Sequence, residues 1–570
     1  MNNIHNSIKY TVLLGALCSA LAGINSCSSR ESDSPSKEEI NGTVLRVNVA
    51  GIADNIEVEA SPIASKNSMA GISSGGSVIA PEKMLNLNGF DALVSVEKSN
   101  PNNKPDNAAI ASSSKINATA ATSLMGVGVR YRLMIYDAAD VNHTTPVINQ
   151  VCISGTDPLI KIDAGKAYTW YALSLNENTT VPVVNNGIVA KTGLKNKDIL
   201  LANGILNTQY GENYLNIIFN HNTTRVNVAI DSRGMFGTMN TNPLRNLNVG
   251  GSDILKYGDL NVFTGAYSNT SSYIVTDVTP VNTYGNAVKT YTYYTTDNTT
   301  AVPANGLKAN ITATGIVQPD PFGGTNTVIL PDNTTIPFNN NAFKLTYNNS
   351  YNLNVRLIES GVKVGGLTWA RSNLAWWGIS ESAVKTKIFD PNPKRPYDIN
   401  ANGRYYFYWG INVPGDYCVD VYPAGVWRMP TIDELESTFK NRAYNTRLYY
   451  NTNTSGAPNG MAGIEYELDP GSVINTAYPE LSQKLFFPMA GQAAINGTSF
   501  FNHGFSIKAT DGKIDNLEIN IWALQNPRNY DILQWVSVYN EDGTSRNLRI
   551  KNIARLQSSA TNRNIRCVRK

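Results

Sequence analysis

The strongest constraint on the fold of this 570-residue chain is a period of two. In Thr43–Ala50, Leu45, Val47 and Val49 face one way while Arg46 and Asn48 face the other. Val127, Val129, Tyr131, Leu133 and Ile135 alternate in the same manner with Gly128, Arg130, Arg132 and Met134, and the run closes on Tyr136-Asp137. Alternation of this kind buries one face of a strand and leaves the other to solvent or to a second layer. Further strands are predicted at Tyr168–Leu175, after the turn Asp163-Ala164-Gly165-Lys166, at Leu215–Phe219 and at Val226–Ile230. Tyr273–Val278, Val288–Tyr294, Phe343–Tyr347 and Tyr351–Leu357 complete the set. Short strands separated by Asn, Thr and Gly turns point to β-sandwiches. The triplets Asn-Thr-Thr at 178, 222, 298 and 333 are irregularly spaced, which fits turn chemistry rather than a repeat. Residues 61–121, rich in Ser, Ala, Asn and Gly, read as long loops crossed by short strands.

Composition narrows the function. Lys and Arg number 47 against 44 Asp and Glu, a net charge of +3, so no basic field exists for a nucleic-acid backbone. Length gives a prior of roughly three or four domains. Four His leave little for imidazole chemistry, and no His-Glu-x-x-His, Gly-x-Ser-x-Gly, Walker loop or metal-spaced Cys cluster occurs, so no catalytic residue is assigned. The carboxylate pair Asp433/Glu434 is explained by helix capping, and Glu465/Glu467 reads as a solvated strand face.

Export is written at the N-terminus. Lys9 precedes an apolar run, Thr11–Ile24, too short to span a bilayer. Ser26-Cys27 after it resembles a bacterial lipoprotein processing site, which implies a signal peptide over 1–26, diacylation of Cys27 and attachment to the outer membrane through acyl chains. Residues 27–41 are a polar tether, similar to the spacers of surface lipoproteins in the Bacteroidota. Among the five Cys, Cys418 and Cys567 share the C-terminal region, and an oxidising export route favours their pairing. Cys152 is left over as a buried thiol.

Composition changes near Gly361. Seven of the eight Trp lie beyond it, and a separate domain is predicted to start there. Its one helix begins at Pro430-Thr431-Ile432-Asp433-Glu434, where Thr431 and Glu434 form a capping box, Ile432, Leu435 and Phe439 share the buried face, and Arg442 suits the dipole at the far end.

Two family resemblances rest on these residues. Val129-Arg130-Tyr131-Arg132-Leu133-Met134-Ile135-Tyr136-Asp137, Ala164-Gly165-Lys166-Ala167-Tyr168-Thr169-Trp170-Tyr171-Ala172 and Ile218–His221 through Arg225 to Asp231-Ser232-Arg233-Gly234-Met235-Phe236-Gly237 resemble the fimbrillins of Bacteroidales surface pili. That implies two transthyretin-like β-sandwich domains, placed at 42–200 and 201–360, and assembly with other fimbrial subunits by strand insertion. Thr43–Ala50 is then the candidate exchanged strand, with Arg46 or Arg30 as candidate processing sites; an outward-facing structural role is favoured for Arg46, because a cut there would sever the strand. Gly366-Leu367-Thr368-Trp369-Ala370-Arg371-Ser372-Asn373-Leu374, Trp427-Arg428-Met429-Pro430-Thr431, Leu485-Phe486-Phe487-Pro488 and Ile565-Arg566-Cys567-Val568-Arg569 resemble the Fibrobacter succinogenes major paralogous domain. That implies an α+β C-type-lectin-like domain over 361–570; the family's Cys usually lies closer to the Trp-Arg-x-Pro-Thr motif than Cys418 does. A Ca²⁺ ion is compatible with such a fold, but no spacing assigns it ligands, and no cofactor is expected otherwise.

Trp369 and Trp427 are expected in the core, whereas Trp376, Trp377 and Tyr405 are candidates for a recognition surface that contacts a host or bacterial protein or glycan. The reading is mainly β: a non-catalytic fimbrial tip or accessory adhesin at the cell surface. The alternatives are a fimbrial anchor, a shaft subunit or a solitary surface glycan-binding lipoprotein.

Overall fold

The computed structural model describes residues 42–53, 77–87, 89–99, 122–319, 325–376, 387–390, 415–450, 460–472, 474–478, 480–489, 492–494, 500–501, 515–524, 531–541, 546–557 and 561–570. The fold is mainly β. Up to residue 234 the strands are β1 (Val44–Ala53), β2 (Ser77–Asn86), β3 (Asp91–Ser99), β4 (Thr122–Ser123), β5 (Arg130–Asp137), β6 (Ile148–Ile153), β7 (Leu159–Lys161), β8 (Ala167–Ser174), β9 (Ile188–Val189), β10 (Leu200–Asn207), β11 (Glu212–His221) and β12 (Thr224–Gly234).

The alternating residues pay off in a first sandwich. One layer runs β10-β8-β5-β6, all antiparallel. The other sets β1 parallel to β11 and between it and the short strands β7 and β4. Leu45, Val47, Tyr131, Leu133, Trp170, Leu215, Ile217 and Phe219 fill the space between, with Tyr131 edge-on to Phe219 at 5.9 Å. Cys152 is buried here, and burial pushes its thiol pKa up. Gly204 lies opposite Trp170, where a Cβ would come within 2.9 Å of the indole, so a larger residue would force the ring from its place.

The outer faces of β5 and β8 are covered as well. Met134, Tyr136, Tyr171 and Leu173 pack on Val181, Leu194, Leu260 and Val262, and β9 pairs with Lys256–Asn261 of the second sandwich. The two sandwiches therefore share both a core and a strand pairing.

In the second sandwich β12 is central, antiparallel to Val288–Thr295 and parallel to Ser350–Ile358. Leu244, Leu247, Leu307, Ile311, Ile316 and Val328 close the core from the opposite layer. The hairpin β2–β3 belongs to this sheet, because β3 pairs with Ser350–Ile358 from Asp91 to Ser99.

Several expectations are corrected here. Residues 77–99 form two strands of 10 and 9 residues rather than short ones among loops. The expected boundary at 200/201 falls inside β10, and the sheets instead place β10–β11 in the first sandwich and β2–β3 in the second. Period-two patterning marks a strand and its faces but not its distant partner. The strand expected at Tyr273–Val278 lies at Tyr267–Ser272, since Asp277 accepts from the Ile274 amide and closes a turn after it. Phe343–Tyr347 is a strand only at Phe343–Lys344.

Asn explains many of the turns. Of the eleven described non-glycine residues with positive φ, eight are Asn, including Asn333 in the fourth Asn-Thr-Thr triplet. Its short amide tolerates the left-handed region better than most side chains.

Beyond residue 361, Trp369, Phe439, Tyr466, Phe487 and Trp535 stack around helix α1 (Ile432–Phe439). Thr431 Oγ1 accepts from the Glu434 amide at 3.2 Å, and Glu434 Oε2 accepts from the Thr431 amide at 2.8 Å. Ile432, Leu435 and Phe439 are buried. Thr431→Ala should cost about 1 kcal/mol, read as a fall in the urea midpoint at unchanged m-value. Arg442 pairs with Asp469 at 2.6 Å rather than serving the helix end alone.

This unit is not separated from the sandwiches. A shared core joins Phe236, Ile358, Met84 and Leu93 to Trp427, Phe389, Trp522 and the Cys418–Cys567 disulfide, whose Cα atoms are 5.9 Å apart.

Candidate assembly site

β1 holds its place by three means. Its main chain bonds to β11 on one side and to β7 and β4 on the other. Leu45 and Val47 are fully buried. Arg46 points outward and donates to Asp157 at 2.9 Å and Glu212 at 3.1 Å. Glu212 first, then Asp157, raise the guanidinium pKa by hydrogen bonding. Arg46 thus pins the strand to a neighbour on either side. A protease needs its substrate extended and unpaired, and the Arg46 main chain is paired with Tyr214 and Leu159. Trypsin added to the folded chain should therefore leave the Arg46–Val47 bond intact and cut it once urea unfolds the protein. N-terminal sequencing of the fragments reads the difference.

Next to β1 the sandwich is open. β10 and β11 bond only at Leu200–His221 and Leu201–Asn220. Towards the turn that joins them the two strands part, β10 following β8 and β11 following β1. Ile205, Tyr214 and Ile218 are exposed along this stretch. Sequence patterning assigned the β11 strand but not the parting, which depends on the partners each strand keeps.

In the C-terminal unit Trp369 and Trp427 are fully buried. Trp376 ends a three-residue strand, Leu374–Trp376, paired with Lys387–Phe389. Trp377 and Tyr405 lie outside the described residues, as do Cys27, Arg30, the signal segment and the tether.

The carboxylates proposed for other roles are committed. Glu434 takes a bidentate pair from Arg428, which lowers its pKa, and completes the cap. Glu465 is buried, contrary to the solvated face expected for it, because Arg447 at 2.9 Å and Lys484 at 3.3 Å neutralise it; Glu467 beside it stays exposed and takes Lys484 at 2.8 Å. His221 pairs with Asp198 at 2.6 Å, and His143 stacks on Phe263 and meets Tyr171 Oη at 3.1 Å. Among the described residues no group of three or more His, Cys, Asp or Glu is arranged to hold a metal ion, and no helix is long and apolar enough to cross a membrane.

The sequence missed the joint between the second sandwich and the C-terminal unit. Glu359 and Asp91 meet Arg371, Arg566 and Arg569 there, all largely buried. Arg569 donates to Asp91 at 2.7 Å and to the Glu359 carbonyl at 2.6 Å, and its guanidinium lies 3.8 Å from the centre of the Trp427 ring. The run Arg566-Cys567-Val568-Arg569 carries the signal, since a segment that buries both its cystine and its Val leaves little solvated side for either Arg.

Two packed sandwiches joined to a C-terminal unit make a mainly-β protein. Residues 163–369 match the fimbrillin-like family, a span that runs from the turn before β8 through the second sandwich, leaving out β1–β7, and ends at Trp369. Among solved structures, a proposed cell adhesion protein from Bacteroides fragilis is 12% identical with a TM-score of 0.26, over 49% of this chain and 92% of that one. A fimbrial assembly protein from Parabacteroides distasonis is 10% identical with a TM-score of 0.22, over 40% and 83%. The fimbrial anchor protein Mfa2 from Porphyromonas gingivalis is 12% identical with a TM-score of 0.20, over 33% and 71%. No curated protein matches the chain.

Proposed function

We propose that the chain is a non-catalytic subunit of a surface fimbria, at the tip or in an accessory position. The two sandwiches carry assembly and the C-terminal unit carries contact with a host or bacterial surface. The observation that carries this reading is the fimbrillin-like match over residues 163–369. β1 is the element suited to exchange: it is a single strand, its partners on both sides are in place, and β2–β3 beyond it is anchored separately in the second sandwich. A replacement strand would regain the main-chain bonds and refill the places of Leu45 and Val47, with register set by those pockets. Val568–Arg569 is held between Trp369 and Trp427, so this segment is committed to its own unit rather than to a neighbour. The C-terminal unit, read as lectin-like, would present its recognition surface away from the shared core. Export as an acylated lipoprotein through Cys27 belongs to the same proposal.

Immunogold microscopy with an antibody to residues 361–570, paired with N-terminal sequencing of chains from sheared fibres, tests it. Label at fibre ends is the expected result. Label only on the cell surface, on chains that start at acylated Cys27, would instead indicate an anchor or a solitary glycan-binding lipoprotein, and label along the whole fibre a shaft subunit.

A further inference from the structure

Among the described residues, nothing guards the edge of the first sandwich at β6. β6 pairs with β5 and ends its layer, leaving one side of its main chain without a strand partner among the described residues. Edges of this kind invite pairing with another chain, and proteins normally blunt them with charge, Pro or bulges. Two other long edges of this molecule are blunted in that way. Arg546–Gln557 carries Arg546, Arg549, Lys551 and Arg555, and β2 carries Pro81, Glu82 and Lys83 with two register shifts. From Pro146 to Thr156, by contrast, no charged residue occurs. Val151 and Ile153 are 41% and 39% exposed, and Val147 precedes them at 52%. Val127, 89% exposed, lies against Gly155 at the far end of the strand. Neighbouring charge sits one strand back, on Arg130 and Arg132, and Arg132 is turned to the Pro182 carbonyl and the Asn149 amide. Other uncharged edges are more polar: Tyr267–Ser272 carries mainly Ser, Asn and Thr, and Thr325–Leu330 has Ile329 as its one exposed large apolar residue.

We infer that β6 docks on a second copy of the chain: the two Ile148–Ile153 strands pair antiparallel about a two-fold axis and join the two β10-β8-β5-β6 layers into one. The occupant follows from the edge. An antiparallel edge is complementary to itself in its main-chain pattern, so a two-fold pairing satisfies both copies at once. The absence of charge means that the second copy brings no like-charge repulsion across the pair, whereas a charged foreign strand would find no counter-charge on β6. With the axis at Val151, the same operation sets Val151 against Val151 and Ile153 against Asn149. Six residues a side make a small interface, of the transient class in free solution. Copies arrayed along a fibre would add such contacts, because effective concentration rises with multiplicity. The inference stands on the edge itself and not on the fimbrial reading.

Sedimentation velocity of the full-length chain from roughly 1 to 300 µM covers the range expected of a small interface. The expected result is a reversible shift from monomer to dimer. Val151→Lys should raise the midpoint concentration about tenfold or more by placing two ammonium groups across the pair. Ile329→Lys, on the uncharged edge Thr325–Leu330, should leave the midpoint unchanged. A wild-type chain that stays monomeric throughout, or equal effects of the two variants, would overturn the inference. Amide exchange in the wild type serves if the Lys variant does not fold: exchange over 148–153 should slow as concentration rises. Exchange that is independent of concentration, or that slows only on mixing with other fibre subunits, would overturn self-pairing, the latter giving the edge to a foreign strand.

Discussion

Replacing Arg566 with alanine should destabilise the C-terminal unit by about 3–5 kcal/mol, as expected when one partner of a buried charged network is removed. The side chain is fully buried, and every arm of the guanidinium is used. Nε donates to Asn373 Oδ1 at 2.9 Å, Nη1 to the Ala370 carbonyl at 3.1 Å and Nη2 to the Phe486 carbonyl at 2.8 Å. Phe487 lies beneath it at 4.8 Å. Three acceptors from two segments, 370–373 and Phe486, would lose their donor together, and each buried orphan carries its own desolvation cost. Burial pushes the Arg566 pKa down to about 9, so the group is still charged at neutral pH. Lys cannot substitute, because a single ammonium lacks the planar fork that reaches three directions. Urea unfolding followed by Trp fluorescence reads the loss, since most of the Trp residues are in this unit. A shift below about 1 kcal/mol, the size of one ordinary hydrogen bond, would mean that the network relaxes around the gap.

Arg566 also shows where a sequence stops being legible. Alternation along Val129–Tyr136 and Val226–Ile230 identified strands because burial of one face is a local property of consecutive residues. The capping box was legible for the same reason, as its two halves lie three residues apart. The insertion of β2–β3 beside Ser350–Ile358 was not, since pairing partners about 250 residues apart in the chain leave no mark in either segment. Glu465 was misjudged on the same ground: its partners Arg447, on a neighbouring strand, and Lys484, just before the next, are distant in sequence, and only together do they make burial of the carboxylate tolerable. The candidate assembly site divides likewise. β1 and its outward Arg46 follow from patterning, whereas the parting of β10 from β11 follows from which partner each strand keeps.

The second large effect is a pH dependence at the joint between the second sandwich and the C-terminal unit. Glu359 follows the strand Ser350–Ile358, donates its amide to the Gly234 carbonyl at 2.9 Å and sits among Arg371, Arg566 and Arg569, with Asp91 and Tyr478 also facing the cluster. Three guanidinia would ordinarily favour the ionised carboxylate. Here they are already engaged: Arg371 on the Ser360 and Ser482 carbonyls, Arg566 as above, and Arg569 on Asp91. The Glu359 carboxylate receives the Arg371 amide at 3.4 Å. Burial therefore dominates and raises its pKa to about 7. The folded chain keeps a proton that the unfolded chain, with an ordinary value near 4.5, releases. Stability from this group is thus fully present below about pH 4.5 and is lost as pH rises through 7, a total of about 3 kcal/mol for a shift of this size. Burial raises the Asp91 pKa as well, which adds to the loss with the same sign. Glu359→Gln keeps the shape and removes the titration. At about pH 4 it should match the wild type, and at about pH 8 it should be the more stable by up to about 3 kcal/mol. Urea midpoints of both chains across that range isolate Glu359, because every other group titrates in both. Parallel curves would show that Glu359 is ionised throughout and that the guanidinia, despite their carbonyl partners, outweigh burial at this joint.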